Sequence, residues 1–141
     1  MYSKILVPTD GSEGAEIAVE HALNLAEKFD SELHVMYVAD VRVGSTGDMW
    51  TNMIGQLEEM GEEATSEIAD QAKENGVATV TNVVRGVPHR EINEYVEENG
   101  IEMIVMGTHG RTGIDRILLG SVTEKIVRTS KIPVMTVGRE D

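Results

Sequence analysis

The sequence predicts an α/β fold, an open parallel sheet of five strands with helices on both faces. Three observations predict it. Short apolar runs recur along the chain, at Lys4–Val7, Ser31–Ala39, Val77–Val84, Ile101–Met106 and Val134–Val137. Between them lie longer stretches in which apolar residues return at the helical period. Glycine or proline marks most of the joins, at Pro8, Gly76, Gly100, Gly107 and Pro133. Strands that alternate with helices in this way form parallel sheets whose faces the connecting helices cover.

Each element has a local justification. The first strand ends at Pro8, and Asp10-Gly11-Ser12 supplies the turn. Ser12 is the N-cap of a helix running to about Phe29, with Ala15, Ala18, Val19, Ala22, Ala26 and Phe29 inward. Small residues dominate that stripe, so the helix can approach a sheet closely. The second strand offers two apolar faces: Leu33, Val35 and Tyr37, or His34, Met36 and Val38. Periodicity then disappears from Asp40 to Gly55, a long loop that contains the only tryptophan, Trp50. Loops of this length are often functional. A helix follows from about Met53 to Asn75, with Leu57, Met60, Ala64, Ile68 and Ala72 inward and Gly76 as its stop. Arg85-Gly86-Val87-Pro88 turns the third strand into a short helix with Ile92, Tyr95 and Val96 inward, closed by Gly100. Ile114, Ile117, Leu118 and Leu119 make a brief apolar helix. The last helix carries Val122, Ile126 and Val127 inward to about Ser130, and Pro133 separates it from the closing strand.

Composition bounds the function. A chain of 141 residues without an internal repeat or linker is expected to be one domain, 1–141. It has no cysteine, which excludes disulfides, zinc–thiolate sites and thiol nucleophiles. A formal charge of −13 argues against nucleic acid, whose phosphates need a basic face. No apolar stretch approaches the length of a bilayer, so membrane insertion is not expected. The opening MYSKILVPTDG is too short in apolar residues for a signal sequence, and a cytoplasmic location is expected. His21, His34 and His89 show no metal-ligand spacing.

The stretch that carries chemistry is Gly107 to Thr123, GTHGRTGIDRILLGSVT. Gly107, Gly110 and Gly113 follow a buried strand, and Gly120 precedes a fresh helix start. Glycine permits close backbone approach, and unpaired N–H groups at a helix start favour an anion. The pattern is a phosphate cradle, although it lacks the Lys-Ser/Thr pair of a P-loop and is not G-x-G-x-x-G. Each residue also has a simpler reading. Ser121 heads Ser-x-x-Glu and can form a capping box with Glu124, which is compatible with a ligand role for its N–H or hydroxyl. Asp10 can simply cap its turn. Val38 and Met106 can be core residues. Arg111 can be an ordinary solvated side chain, but one residue past Gly110 in an acidic chain it reads as a phosphate partner, and His109 reads as shaping the loop. Trp50 is either a partner anchor or a lid.

The spacing Gly107, Gly110, Gly120, Ser121, with the words GRTG and LLGSVTEK, resembles the ATP-binding branch of the universal stress protein family. KILVPTDGSE is similar to that family's first strand and turn, and IPVMTVG to its closing strand, so the resemblance spans nearly the whole chain. It implies a Rossmann-like sheet of order 3-2-1-4-5 and a nucleotide site of Pro8, Thr9, Asp10, Val38, Met106, Gly107, His109, Gly110, Arg111, Gly120, Ser121, Val122 and Thr123. In that site Asp10 faces the ribose and adenine side, Val38 and Met106 flank the base, and Ser121 to Thr123 line the triphosphate. The implied ligand is ATP, with Mg²⁺ to neutralise it. The implied partners are a second copy, joined through the C-terminal strand as a homodimer, and a regulatory protein in a stress response. Slow ATPase or self-phosphorylating activity is one alternative, with no P-loop lysine to support it. A nucleotide-free interaction module is another.

Overall fold

Aliphatic residues on both sides of each central strand dictate a sheet buried on both faces. The structure, a computed structural model, describes residues 1–42, 47–108 and 120–138. Its strands are β1 (Lys4–Pro8), β2 (Glu32–Asp40), β3 (Thr79–Gly86), β4 (Met103–Gly107) and β5 (Val134–Val137). They form one parallel sheet in the order β3-β2-β1-β4-β5, the order the family resemblance implied. Residues alternate between two cores, as a pleated strand requires. Ile5, Val7, Leu33, Val35, Met103 and Val105 face helices α1 (Glu13–Phe29) and α2 (Asp48–Glu74). Leu6, Met36, Ile104 and Met106 face the other way, toward α3 (Pro88–Asn99) and α4 (Ser121–Thr129). Both candidate faces of β2 are therefore buried.

Helix α1 begins as its sequence dictates, with Ser12 Oγ accepting from the Ala15 N–H at 3.3 Å. Ala15, Ala18, Ala22 and Ala26 are buried, but Phe29 is not part of the stripe. It stands at the helix's last residue, largely exposed, with its ring edge-to-face against Tyr2 at 5.6 Å. Asp30 then takes a left-handed conformation and ends the helix.

Helix α2 departs further from expectation. It starts at Asp48, so the second half of the expected loop, from Asp48 to Gly55, is helix. Its N-cap is Gly47, with no side-chain cap to announce it. Trp50 is partly buried against the cluster of Tyr37, Ala39 and Ile54, and its indole N–H donates to the Val41 carbonyl at 3.1 Å. Met60 is exposed rather than inward, and the next residue, Gly61, is buried instead. A Cβ there would overlap the Tyr37 ring, so α2 approaches the sheet as closely as a bare backbone allows. Gly76 follows the helix with φ +70°, the expected stop. In α4 Thr123 and Ile126 are buried and Val122 packs partly buried against the same core, whereas Val127 is exposed. The expected apolar helix at Ile114–Leu119 lies outside the described residues.

Candidate functional site

Sheet order reverses between β1 and β4, which leave β1 with β2 on one side and β4 with β5 on the other. Crevices form beyond the carboxyl ends of strands at such a reversal. One is present here, with a volume of about 360 Å³. Pro8, Thr9, Asp10, Val38, Met106, Gly107, Gly120, Ser121, Val122 and Thr123 all line it. His109, Gly110 and Arg111 lie outside the described residues.

The β1 turn builds itself from local chemistry. Thr9 N–H donates to the Met36 carbonyl at 2.8 Å and ties the end of β1 to β2. Thr9 Oγ1 accepts from Gly11 N–H at 3.1 Å, and Asp10 Oδ1 accepts from Ser12 N–H at 2.9 Å. Asp10 thus holds the turn and also borders the crevice.

The opposite wall joins β4 to α4. Gly107 sits against the start of α1, where a Cβ would lie 2.5 Å from the Gly14 carbonyl oxygen. Glycine is needed there for packing, whatever the crevice holds. Thr123 Oγ1 donates to the Gly107 carbonyl at 2.9 Å, so its hydroxyl clamps α4 onto β4. The Gly120 N–H donates to the Thr108 carbonyl at 2.7 Å, and that amide belongs to the fold. Gly120 is also the N-cap of α4, and it has no side chain with which to close the first turn. Ser121 is consequently the first helical residue rather than the cap of a capping box, and Glu124 instead pairs with Arg128 at 2.9 Å. A helix cannot satisfy its first N–H groups internally. Those of Ser121, Val122 and Thr123 belong to residues on the crevice wall, at the positive end of the α4 dipole.

Two carboxylates, Asp10 and Asp40, line the crevice. Arg42 donates to both oxygens of Asp40 at 2.9 and 2.8 Å. That pairing holds the Asp40 carboxyl below the usual carboxylate range, with Lys125 adding a smaller pull. His89 beside the crevice residue Pro88 is pushed down by burial, then by the positive charges of Lys125, Arg90 and Arg42. His89 is thereby disfavoured from carrying a proton, and Arg42 is neutralised by its pairing with Asp40. Among the described residues no group of three carboxylates or imidazoles is placed to hold a metal ion.

Over residues 1–138 the sequence matches the model of the universal stress protein family. The chain belongs to that family. It is 42% identical over 140 residues to universal stress protein MJ0531 of Methanocaldococcus jannaschii, spanning 97% of this chain and 82% of that one. The solved structure of MJ0577, a universal stress protein of the same organism, superposes with a TM-score of 0.85 at 34% identity, covering 100% of this chain and 99% of that one. A universal stress protein in complex with cAMP superposes with a TM-score of 0.68 at 26% identity, covering 97% of each chain.

The crevice also takes in Ala15, Met36, Tyr37, Asp40, Leu57, Pro88 and Ile92, which the sequence did not single out for the site. Pro88 carried a usable signal. It is the first residue of α3, just past the carboxyl end of β3, where the strand-end rule already points. Leu57 carried none, because its place depends on how α2 packs.

Proposed function

We propose that this crevice binds an adenine nucleotide, ATP with Mg²⁺, and that occupancy sets a surface read by a regulatory partner under stress. The observation that carries the reading is an uncapped helix start and a carboxylate on one crevice at the sheet reversal. The α4 amides of Ser121, Val122 and Thr123 receive phosphate oxygens. Gly110 and Arg111 complete that cradle, with Gly107, His109 and Gly120 shaping the loop that carries it. Asp10 accepts the ribose hydroxyls, and Pro8 and Thr9 form the wall beside it. Adenine lies between Val38 and Met106. A crevice of about 360 Å³ falls in the ordinary range for small-molecule sites. The relative in complex with cAMP supports an adenine nucleotide as the ligand class. Mg²⁺ travels with the phosphates, whose charge it offsets and whose oxygens it binds alongside water.

Binding is favoured over hydrolysis because Asp40, the second crevice carboxylate, is occupied by Arg42 and held below the usual range. Edge strand β5 joins two copies into a homodimer, since among the described residues it is an outermost strand of the sheet and Val134–Val137 carry no charge. Mass spectrometry of small molecules released from purified protein, followed by calorimetry with ATP, tests the ligand. An adenine nucleotide recovered in near-molar ratio, or saturable ATP heat, is expected. A protein that is empty and shows no heat at millimolar ATP overturns the reading.

A further inference from the structure

We infer that the outer face of α2 is a docking surface for a basic amphipathic helix of another protein. The helix is firmly seated: Ile54, Thr65, Ile68 and Ala72 are buried, and Gly61 presses on Tyr37. To one side of that seated face, Met49, Met53 and Met60 fall within about 40° of one another at 3.6 residues per turn. They are 79%, 43% and 42% exposed. The same stripe continues toward the C-terminus as Glu63, Glu67, Asp70 and Glu74, all exposed. Lys73 is the only basic residue in the helix. The surface therefore has a direction, with soft apolar side chains at its start and carboxylates along its second half.

Methionine is unbranched and polarizable and repacks readily against other apolar shapes, which suits it to surfaces that take helices. The matching object presents apolar side chains at i, i+3, i+4 and i+7 and carries lysine or arginine toward one end. A second copy of this chain does not match. At this face it would bring the same row of carboxylates, Glu63, Glu67, Asp70 and Glu74, and like charges directly across an interface are strongly disfavoured. Leu57 lies between Met53 and Met60 in the sequence and lines the crevice, so the docked helix would sit close to that wall. The docking surface does not depend on what the crevice holds.

The test uses the whole protein and two fluorescent synthetic peptides, one of leucine and lysine at helical spacing, the other with glutamate for lysine. The lysine peptide is expected to bind and the glutamate peptide not to. Replacing Met49→Ser with Met53→Ser leaves the charge unchanged and should weaken the lysine peptide about tenfold. Glu63→Gln with Glu67→Gln should weaken it and flatten its salt dependence. Glu94→Gln with Glu98→Gln on α3 makes the same charge change elsewhere and should alter neither. Amide shifts on the unsubstituted protein should fall along α2. Affinity untouched by the methionine pair, equal loss in the α3 control, or shifts away from α2 overturns the inference. So does a concentration-dependent dimer that the methionine pair dissolves.

Discussion

Asp10 and Asp40 stand on the same crevice but answer to different neighbours. Asp10 Oδ1 accepts the Ser12 N–H of its own turn. Asp10→Asn keeps an oxygen for that bond and removes the charge offered to ribose. ATP affinity should fall about tenfold, the scale of one charged hydrogen bond; calorimetry that finds it unchanged removes the ribose assignment. Asp40 is read by pH. Its folded pKa is depressed by Arg42, so its contribution is present above the unfolded carboxylate value and is lost as pH falls through the lower folded value. The Asp40–Arg42 pair is partly exposed and worth about 0.5 kcal/mol. Asp40→Asn should lower stability near neutrality by that amount and narrow its difference from the parent in acid, in denaturant titrations at each pH. At this scale the sequence was legible where chemistry is local, as in the Asp10-Gly11-Ser12 turn. It was silent on Gly107 against Gly14, a contact between residues far apart in the chain.

Helices α1, α2 and α4 show what periodicity can and cannot carry. The alanine stripe of α1 and its Ser12 cap were legible because both are properties of adjacent turns. The start of α2 was not. Gly47 gives no side-chain cap, and Met49 and Met53 face solvent, so the first turns of this helix lack an inward apolar pattern. Met60 was taken for core because it is apolar, whereas the contact is made by Gly61 through the absence of a side chain. Phe29 and Val127 failed alike: a pattern counts apolar residues without knowing where the neighbouring layer ends. Gly61→Ala tests the α2 contact. Alanine favours a helix by about 1 kcal/mol over glycine, yet here its Cβ meets the ring of Tyr37, which is 3% exposed and has nowhere to turn. A net loss of about 1–3 kcal/mol in denaturant unfolding is expected. A variant as stable as the parent would mean that α2 sits further from the sheet.

At the scale of the whole molecule, the sheet reversal brings a carboxylate-bearing turn and an open helix start to one crevice. Alternating elements imply a parallel sheet, but its strand order and reversal came from the family resemblance, which is why the crevice could be anticipated from residues scattered between Pro8 and Thr123. Its rim could not, because Arg42, Arg90 and Lys125 meet only after β2, α3 and α4 pack together. Assembly is tested at the other end of the sheet. Met135→Lys places a charge on edge strand β5 and should convert dimers to monomers in sedimentation; a dimer that persists moves the interface elsewhere. The nucleotide assignment is tested most directly by amide shifts recorded while ATP is added to the folded protein. Saturable shifts of Ser121, Val122 and Thr123, together with the turn at Asp10, are expected. Amides there that stay fixed at millimolar ATP, or shifts confined to another surface, would contradict it.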